Sequence, residues 1–193
     1  MDTIPTTERA PVPNATRDVE FAEFFRATWP RLFRTTYAVA GDRLLAEDAL
    51  QAAFAKAYSQ WDRVQSAQHP VAYVRRMAIN EVLGVLRRPW FRAERSTDVL
   101  ELRPLPSTED HTVGRDALWR AVCSLPPRQR AVVVLRYYED LSEAETALVM
   151  GVSVGTVKSA TSRALAKLRD TSGLRDDPRL ALPSTTTPSG ALS

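Results

Sequence analysis

The chain has 193 residues, of which 44% are hydrophobic, and this length fits one ordinary domain or two small helical ones. Its 26 basic and 23 acidic side chains leave a formal charge of only +3, so the total charge does not by itself indicate a nucleic-acid partner. The single cysteine, Cys123, excludes an internal disulfide framework and a cysteine-rich zinc site, and no apolar run is long enough for a membrane span or a signal core. We therefore expect a cytoplasmic chain without membrane insertion, and we expect Cys123 to be buried.

The amino-terminal part predicts a tail followed by a helical domain. Residues 1–17 hold three prolines and almost no large apolar side chains, so we expect a disordered tail. Helical periodicity runs over residues 18–88, the predicted first domain. Pro30 is expected in the first turn of a second helix, where its missing N–H costs nothing. Gly41 is expected to end that helix in the left-handed conformation, and Asp42 to cap the third helix.

The third helix is expected to reach about Gln60. Asp48 and Gln51 lie on one face of it, where they can meet solvent or a partner. A loop ending at Pro70 and a fourth helix over residues 71–88 complete the domain. A different face of the third helix carries apolar side chains at i, i+3, i+4 and i+7 spacing, which predicts that they enter a core: Leu50, Ala53, Phe54, Ala57, Tyr58 and Trp61.

The rest of the chain predicts a linker, a second helical domain and another tail. Residues 89–114 contain three prolines and a polar run without periodicity, which is typical of a flexible linker. Helical periodicity returns over residues 115–170, and residues 171–193, rich in Pro, Ser and Thr, are expected to be disordered. The fold class is therefore all-α, with two small helical domains joined by a flexible linker.

The segment LSEAETALVMGVSVGTVKSATSRALAKLR predicts two helices joined by a tight turn. Ser142 and Glu145 have the spacing of a capping box for the first helix. Gly151 suits the bend, and Ser153 is the natural N-cap of the second helix. Ala144, Ala147 and Leu148 of the first helix are expected to let the second helix approach closely.

The second helix of this pair has a polar outward face near its N-terminus. Polar groups in that place are what a recognition helix uses to reach base edges and phosphates. The spacing favours a DNA-binding helix-turn-helix over a plain α-hairpin with a solvated face. Four side chains of the helix are expected to face inward: Val157, Ala164, Leu165 and Leu168. The outward side chains are Thr156, Lys158, Ser159, Ser162 and Arg163.

Three segments together resemble a known family. The first domain contains GDRLLAEDALQAAFAKAYSQW and PVAYVRRMAINEVLGVLRR, and the second contains LPPRQRAVVVLRYYEDLSEAETALVMGVSVGTVKSATSRALAKLR. In this order and at this spacing they resemble regions 2 and 4 of the sigma-70 family, specifically the extracytoplasmic-function (ECF) sigma factors. The opening FAEFFRATWPRLFRTTY is similar to the actinobacterial SigE-family group. The resemblance covers residues from about 18 to 170.

The resemblance implies a transcription initiation factor with macromolecular partners and no cofactor. These partners are core RNA polymerase, through its β′ clamp helices and β flap, promoter DNA, and an anti-sigma factor. The match implies polymerase binding by Asp48, Gln51 and Phe54. It implies −10 strand binding by Arg75, Arg76 and Asn80. It implies −35 duplex binding by Ser153, Thr156, Lys158, Ser159, Ser162 and Arg163.

The resemblance also gives residues 62–69 a role and shows two departures from the family pattern. Residues 62–69 match the loop that captures an unstacked base, which needs a pocket beside a cationic surface. This chain has Ala52 where relatives often carry Glu, and Ala160 where many carry Arg. Each departure removes one polar contact.

Two other classes of function are weighed against this interpretation. A helix-turn-helix regulator could act without binding polymerase, and such proteins usually dimerise on palindromic sites. An enzyme would need convergent catalytic groups, but the two histidines, His69 and His111, have no metal-ligand companion at helical spacing. We therefore expect a protein that is not an enzyme.

Overall fold

The computed structural model describes residues 14–88 and 113–172, and every regular element within these ranges is helical. The predicted linker up to residue 112 and most of both predicted tails lie outside the described residues. In the described part of the chain, no helix combines the length and the apolar character that crossing a membrane requires. The helices are α1 (Asn14–Ala40), α2 (Arg43–Ser59), α3 (Trp61–Gln65), α4 (Pro70–Leu86), α5 (Val113–Cys123), α6 (Pro127–Val133), which continues as a π-helical turn (Val134–Tyr138), α7 (Glu143–Met150) and α8 (Val154–Ser172).

Helix α1 starts before the predicted boundary and does not break where a break was predicted. It begins at Asn14, and Arg17 donates a hydrogen bond to the Tyr58 carbonyl at 2.6 Å. The prediction of a new helix at Pro30 is wrong, since α1 continues through this proline. A proline inside a helix costs about 3 kcal/mol. Trp29 and Phe33 flank this proline in the sequence, and their rings stack on each other with centroids 6.3 Å apart along the continuous helix.

The turn from α1 to α2 follows the sequence prediction. Gly41 has a φ of +66°, and its N–H donates to the Tyr37 carbonyl at 2.8 Å. The Asp42 carboxylate accepts a hydrogen bond from the Leu45 N–H at 2.8 Å, which caps α2. Both caps are therefore confirmed, and they fix the angle at which α2 leaves α1.

The first bundle, made of α1 to α4, buries the predicted apolar stripe of α2. Phe54 is surrounded by aromatic rings of α1, with ring centroids 4.8 to 6.3 Å away. Trp61 is also buried, as expected. Tyr58 is the exception: it is exposed, and its hydroxyl donates to Asp18 at 2.5 Å. Part of the loop predicted before Pro70 is helical, because residues 61–65 form α3.

The second bundle, made of α5 to α8, buries the four side chains of α8 that were expected to face inward. Cys123 is buried as well, as predicted. The expected role of Leu148 is wrong, since 66% of this side chain is exposed and Ala144 is exposed too. Thr146, Val149 and Met150 are buried beside Ala147 instead, so the inward face of α7 is rotated from the predicted one.

The two bundles pack against each other. A single cluster of buried apolar side chains extends from Leu32 in α1 to Val157 in α8. Helix α6 and its π-helical turn contact α1, and α7 contacts α4. A second, smaller cluster lies between α5, α6 and α8. The predicted pair of helical domains is thus present as two bundles with a common core, and their close contact was not predicted.

Candidate nucleic-acid interface

The turn between α7 and α8 has the geometry of a helix-turn-helix. The Ser142 N–H donates to the Glu145 carboxylate at 2.7 Å, and the Glu145 N–H donates to the Ser142 hydroxyl at 3.2 Å, so the capping box is complete. Gly151 ends α7 with a φ of +64°. Ser153 accepts a hydrogen bond from the Thr156 N–H at 3.2 Å and caps α8. These contacts set where α8 begins and which of its faces points outward.

Hydrogen bonds within the capping box favour the charged form of the Glu145 side chain. Hydrogen bonds with the side chain and the backbone of Ser142 lower the pKa of the Glu145 carboxyl from its ordinary value. A carboxylate in the first turn of a helix also interacts favourably with the helix dipole. Glu145 is therefore ionised at neutral pH and caps the start of α7.

The outward face of α8 is accessible. All six predicted −35 residues are exposed. The Ser153 and Thr156 hydroxyls bond to each other at 2.9 Å, and the Ser159 hydroxyl donates to the Thr156 carbonyl at 3.1 Å. Lys158 lies 3.7 Å from the Glu143 carboxylate in an exposed ion pair that costs little to break. The α8 face thus offers hydroxyls near the helix N-terminus and a cation, Arg163, further along.

The predicted −10 residues on α4 are not equally accessible. Arg76 and Asn80 are exposed, whereas Arg75 is only 9% exposed. The Arg75 guanidinium lies against the second bundle, with Nη1 2.8 Å from the carboxylate of Glu139. The side-chain amide of Asn80 donates to the carbonyl of Val149 in α7 at 3.4 Å. Two of the three residues are therefore engaged by the second half of the chain.

Glu139 is the centre of a polar cluster between the bundles. Its carboxylate is buried and accepts hydrogen bonds from Arg75, from Arg31 at 3.1 Å and from the Thr35 hydroxyl. A buried carboxylate needs such partners, because an unpaired one would carry a large desolvation cost. The sequence reasoning missed Glu139, and the only signal for it was an acidic residue at the end of an apolar helix.

Arg130 makes a second polar contact between the bundles. It is 3% exposed, and its guanidinium donates to the carbonyls of Val39 at 2.7 Å and Ala40 at 2.8 Å, at the end of α1. A cation is favourable at a helix C-terminus, where carbonyl groups lack amide partners. It also donates to the Cys123 carbonyl in its own bundle at 2.9 Å. Sequence reasoning gave Arg130 no role either.

The loop predicted to capture a base is divided between α3 and a short turn. Residues 62–65 belong to α3, and residues 66–69 lead into α4, whose first residue is Pro70. The Arg63 guanidinium lies over the Tyr73 ring, 5.9 Å from its centroid. A cation beside a partly buried aromatic ring is therefore present near this turn, and the role of the turn in single-strand binding stays a prediction.

The predicted polymerase-binding residues separate into surface and core. Asp48 and Gln51 are exposed on α2, as expected. Phe54 is 3% exposed, so the prediction that it contacts polymerase needs correction: the helical spacing that puts Asp48 and Gln51 outside turns Phe54 into the aromatic core. Beside Asp48, a groove between α2 and α4 is lined by Ala52, Glu81 and Val85.

Two family models match the two bundles in order. The description "Sigma-70 region 2" fits residues 24–92, and "Sigma-70, region 4" fits residues 115–168. The chain is 36% identical to the RNA polymerase sigma-E factor of Streptomyces coelicolor, over 82% of this chain and 89% of that one. The corresponding factor of Streptomyces antibioticus is 39% identical, over 82% and 87%. The chain belongs to the sigma-70 family.

Within that family it is an ECF sigma factor. The ECF RNA polymerase sigma factor SigM of Mycobacterium tuberculosis is 30% identical, over 77% of this chain and 74% of that one. A solved structure of the sigma factor RpoE from Bartonella quintana, in complex with the anti-sigma factor NepR, has the same fold, with a TM-score of 0.67 and 20% identity. The match covers 82% of this chain and 99% of that one. The family resemblance drawn from the sequence is thus confirmed.

Proposed function

We propose that this sigma factor binds core RNA polymerase through α2, the −10 promoter strand through α4 and the −35 duplex through α8. The domain boundaries that go with this proposal are residues 18–88 and 115–170, joined by the linker over 89–114. We propose that the protein acts in the cytoplasm and catalyses no reaction of its own. Tethering raises the effective concentration of the second DNA contact once the first has formed, so two weak contacts suffice for promoter binding.

The exposed face of α8 is the observation that carries the proposal. A complete capping box, a left-handed glycine and a serine cap hold this helix, and its polar side chains point away from both bundles. Helix N-termini with polar side chains are suited to phosphates and base edges. The same face would also serve the alternative, a regulator that does not bind polymerase, so α8 alone does not separate the two.

The α2 surface favours the sigma-factor role. Leu44 is 72% exposed at the start of α2, and it lines the same groove as Asp48. An apolar side chain in water next to an acidic one is typical of a protein interface, where apolar burial gives affinity and charge gives orientation. A regulator that binds only DNA has no use for this surface.

A protein inhibitor is a further proposed partner. The Bartonella quintana sigma factor with the same fold was solved in complex with its anti-sigma factor. We propose that a protein of that class restrains this chain as well.

Binding to core RNA polymerase tests the proposal. We expect the chain to form a holoenzyme, and we expect Asp48→Ala to weaken it about tenfold, because a hydrogen bond to a charged group contributes roughly 1.5 kcal/mol or more. Glu23→Ala, which removes an exposed carboxylate from α1, is the matched control and should leave affinity unchanged. Affinity is measured by fluorescence anisotropy of labelled chain titrated with core enzyme. If no holoenzyme forms where a known sigma factor binds, the alternative regulator stands.

A further inference from the structure

The first two turns of α1 hold the end of α3. The carboxylate of Glu20 accepts a hydrogen bond from the side-chain amide of Gln65, the last residue of α3, at 2.9 Å. Helix α1 begins at Asn14, whereas the match to region 2 of the family begins at residue 24. The contact made by Glu20 therefore comes from a part of the chain that the family match does not include.

Helix α3 needs contacts of this kind. It has only five residues and no side-chain cap, and helices this short are unstable on their own. Trp61 and Val64 bury one side of it, and the Trp61 ring lies against Phe21 and Phe24 with centroids 5.3 and 5.1 Å away. Burial therefore fixes the inner side of α3, and the hydrogen bond to Glu20 fixes its last residue.

The chain just before α3 is held by the same turns of α1. The Arg17 guanidinium donates to the Tyr58 carbonyl at 2.6 Å and lies over the Tyr58 ring, 5.4 Å from its centroid. The Tyr58 hydroxyl donates to the Asp18 carboxylate at 2.5 Å. The start of α1 therefore bonds to the chain both before α3 and at its last residue.

Gln65 lies within residues 62–69, the segment that is predicted to capture an unstacked base. Three polar side chains that follow it in the sequence are exposed, those of Ser66, Gln68 and His69. Polar groups that read a base must be held close to one geometry, because hydrogen bonds weaken steeply as their angle departs from the optimum. A hydrogen bond to a carboxylate is stronger than one between neutral groups, so Glu20 is suited to hold this segment.

We propose that Glu20 is a positioning residue for base capture: its bond to Gln65 holds residues 62–69 in the arrangement that receives a base of the −10 strand. The first turns of α1 then take part in promoter recognition without contacting DNA. This inference rests on the proposed function, because it requires that residues 62–69 bind the strand. A segment that is free to move adapts to different bases, so it discriminates less between them.

Hydrogen exchange of the full chain tests whether Glu20 holds the segment. The amides of Ser66 and Ala67 donate to carbonyls of α3 at 3.1 and 3.2 Å, so their exchange reports its order. We expect Glu20→Ala to speed this exchange about fivefold, because a hydrogen bond to a charged group is lost at the end of α3. Glu23→Ala, which removes an exposed carboxylate from the same helix, is the matched control. Equal exchange in the two variants would overturn the inference.

The conservative variant Glu20→Gln separates the hydrogen bond from the charge. Its side-chain oxygen can still accept a hydrogen bond from the Gln65 amide. We expect its exchange at Ser66 and Ala67 to stay close to that of wild type. Exchange as fast as in Glu20→Ala would show that the bond to Gln65 does not hold the segment, and this result would overturn the inference.

Base discrimination is the readout that a purely structural contact would not change. Holoenzyme assembled from the full chain and core RNA polymerase is mixed with single-stranded DNA of random sequence, and the bound DNA is sequenced. We expect the preference for one base at one position to fall about fivefold in Glu20→Ala, and to persist in Glu23→Ala and Glu20→Gln.

The two measurements together distinguish this inference from the proposed function. Faster exchange with an unchanged base preference would mean that Glu20 holds α3 as inferred but that residues 62–69 do not capture a base, which refutes the role proposed for them. If the wild-type holoenzyme prefers no base at any position, the proposed strand capture is itself overturned. Faster exchange with a reduced preference supports both.

Discussion

At the scale of single residues, Gly41 shows how one position serves both the backbone and the contact between bundles. Its φ of +66° lies in the region that side chains with a Cβ disfavour. A Cβ at this position would also lie 2.9 Å from Nη1 of Arg130, which is closer than real Cβ contacts. The sequence predicted the left-handed conformation of Gly41. Its closeness to Arg130 involves a residue far along the chain, so only the tertiary structure shows it.

Two glycine substitutions should have opposite effects on stability. We expect Gly41→Ala to lower the free energy of unfolding by at least about 1 to 2 kcal/mol, the usual cost of a left-handed residue with a Cβ. Gly84→Ala should raise it by about 0.5 to 1 kcal/mol, because Gly84 lies inside α4 and a Cβ there meets nothing within 4 Å. Urea unfolding followed by far-UV circular dichroism measures both. An unchanged or higher free energy of unfolding for Gly41→Ala would contradict the left-handed conformation of residue 41.

At the scale of elements, the helix-turn-helix was predicted almost completely from local signals. Its capping box, left-handed glycine and serine cap are all interactions within a few residues, so the sequence contains them. The inward face of α7 was predicted wrongly, because it is decided by packing against α4 as well as α8. The predicted helix break at Pro30 was wrong for a similar reason, since the aromatic side chains on either side of it in the sequence pack along one continuous helix.

The charge on α8 allows a test of its proposed contact with duplex DNA. Replacing Arg163, which is exposed, by Ala should reduce the slope of log affinity against log salt by about 1, the effect of one lost phosphate contact. Lys167→Ala is the control on the same helix, because the Lys167 ammonium donates to the Ser124 carbonyl at 3.1 Å. Binding to a random-sequence duplex is measured over a range of salt. Equal slopes for the two variants would remove Arg163 from the interface.

At the scale of the whole molecule, the packing of the bundles was not contained in any prediction. The sequence indicated two helical domains and a linker, and it predicted a separate apolar core for each domain. In the structure one cluster of buried side chains includes residues from both. Arg75, predicted as a DNA contact, and Glu139, given no role, become partners at a sequence separation that periodicity cannot detect.

The shared core predicts cooperative unfolding. We expect the full chain to melt in a single calorimetric transition, with a ratio of calorimetric to van't Hoff enthalpy of about one, because neither bundle can open its part of the core alone. Differential scanning calorimetry measures the ratio. Two resolved transitions would mean that the bundles unfold independently and that their contact contributes little.

The sequence by itself determined most of the helices, most of their caps, the family and the exposed face of α8, because each of these depends on neighbours within a few turns or on motif order. Only the tertiary structure decided that Tyr58 is exposed, that α1 runs through Pro30 and that Arg75 faces Glu139. These depend on which surfaces meet across the chain, and a buried carboxylate between two bundles has no local signature. The physical reason is that burial and charge pairing belong to the packed molecule, whereas capping and periodicity belong to the segment.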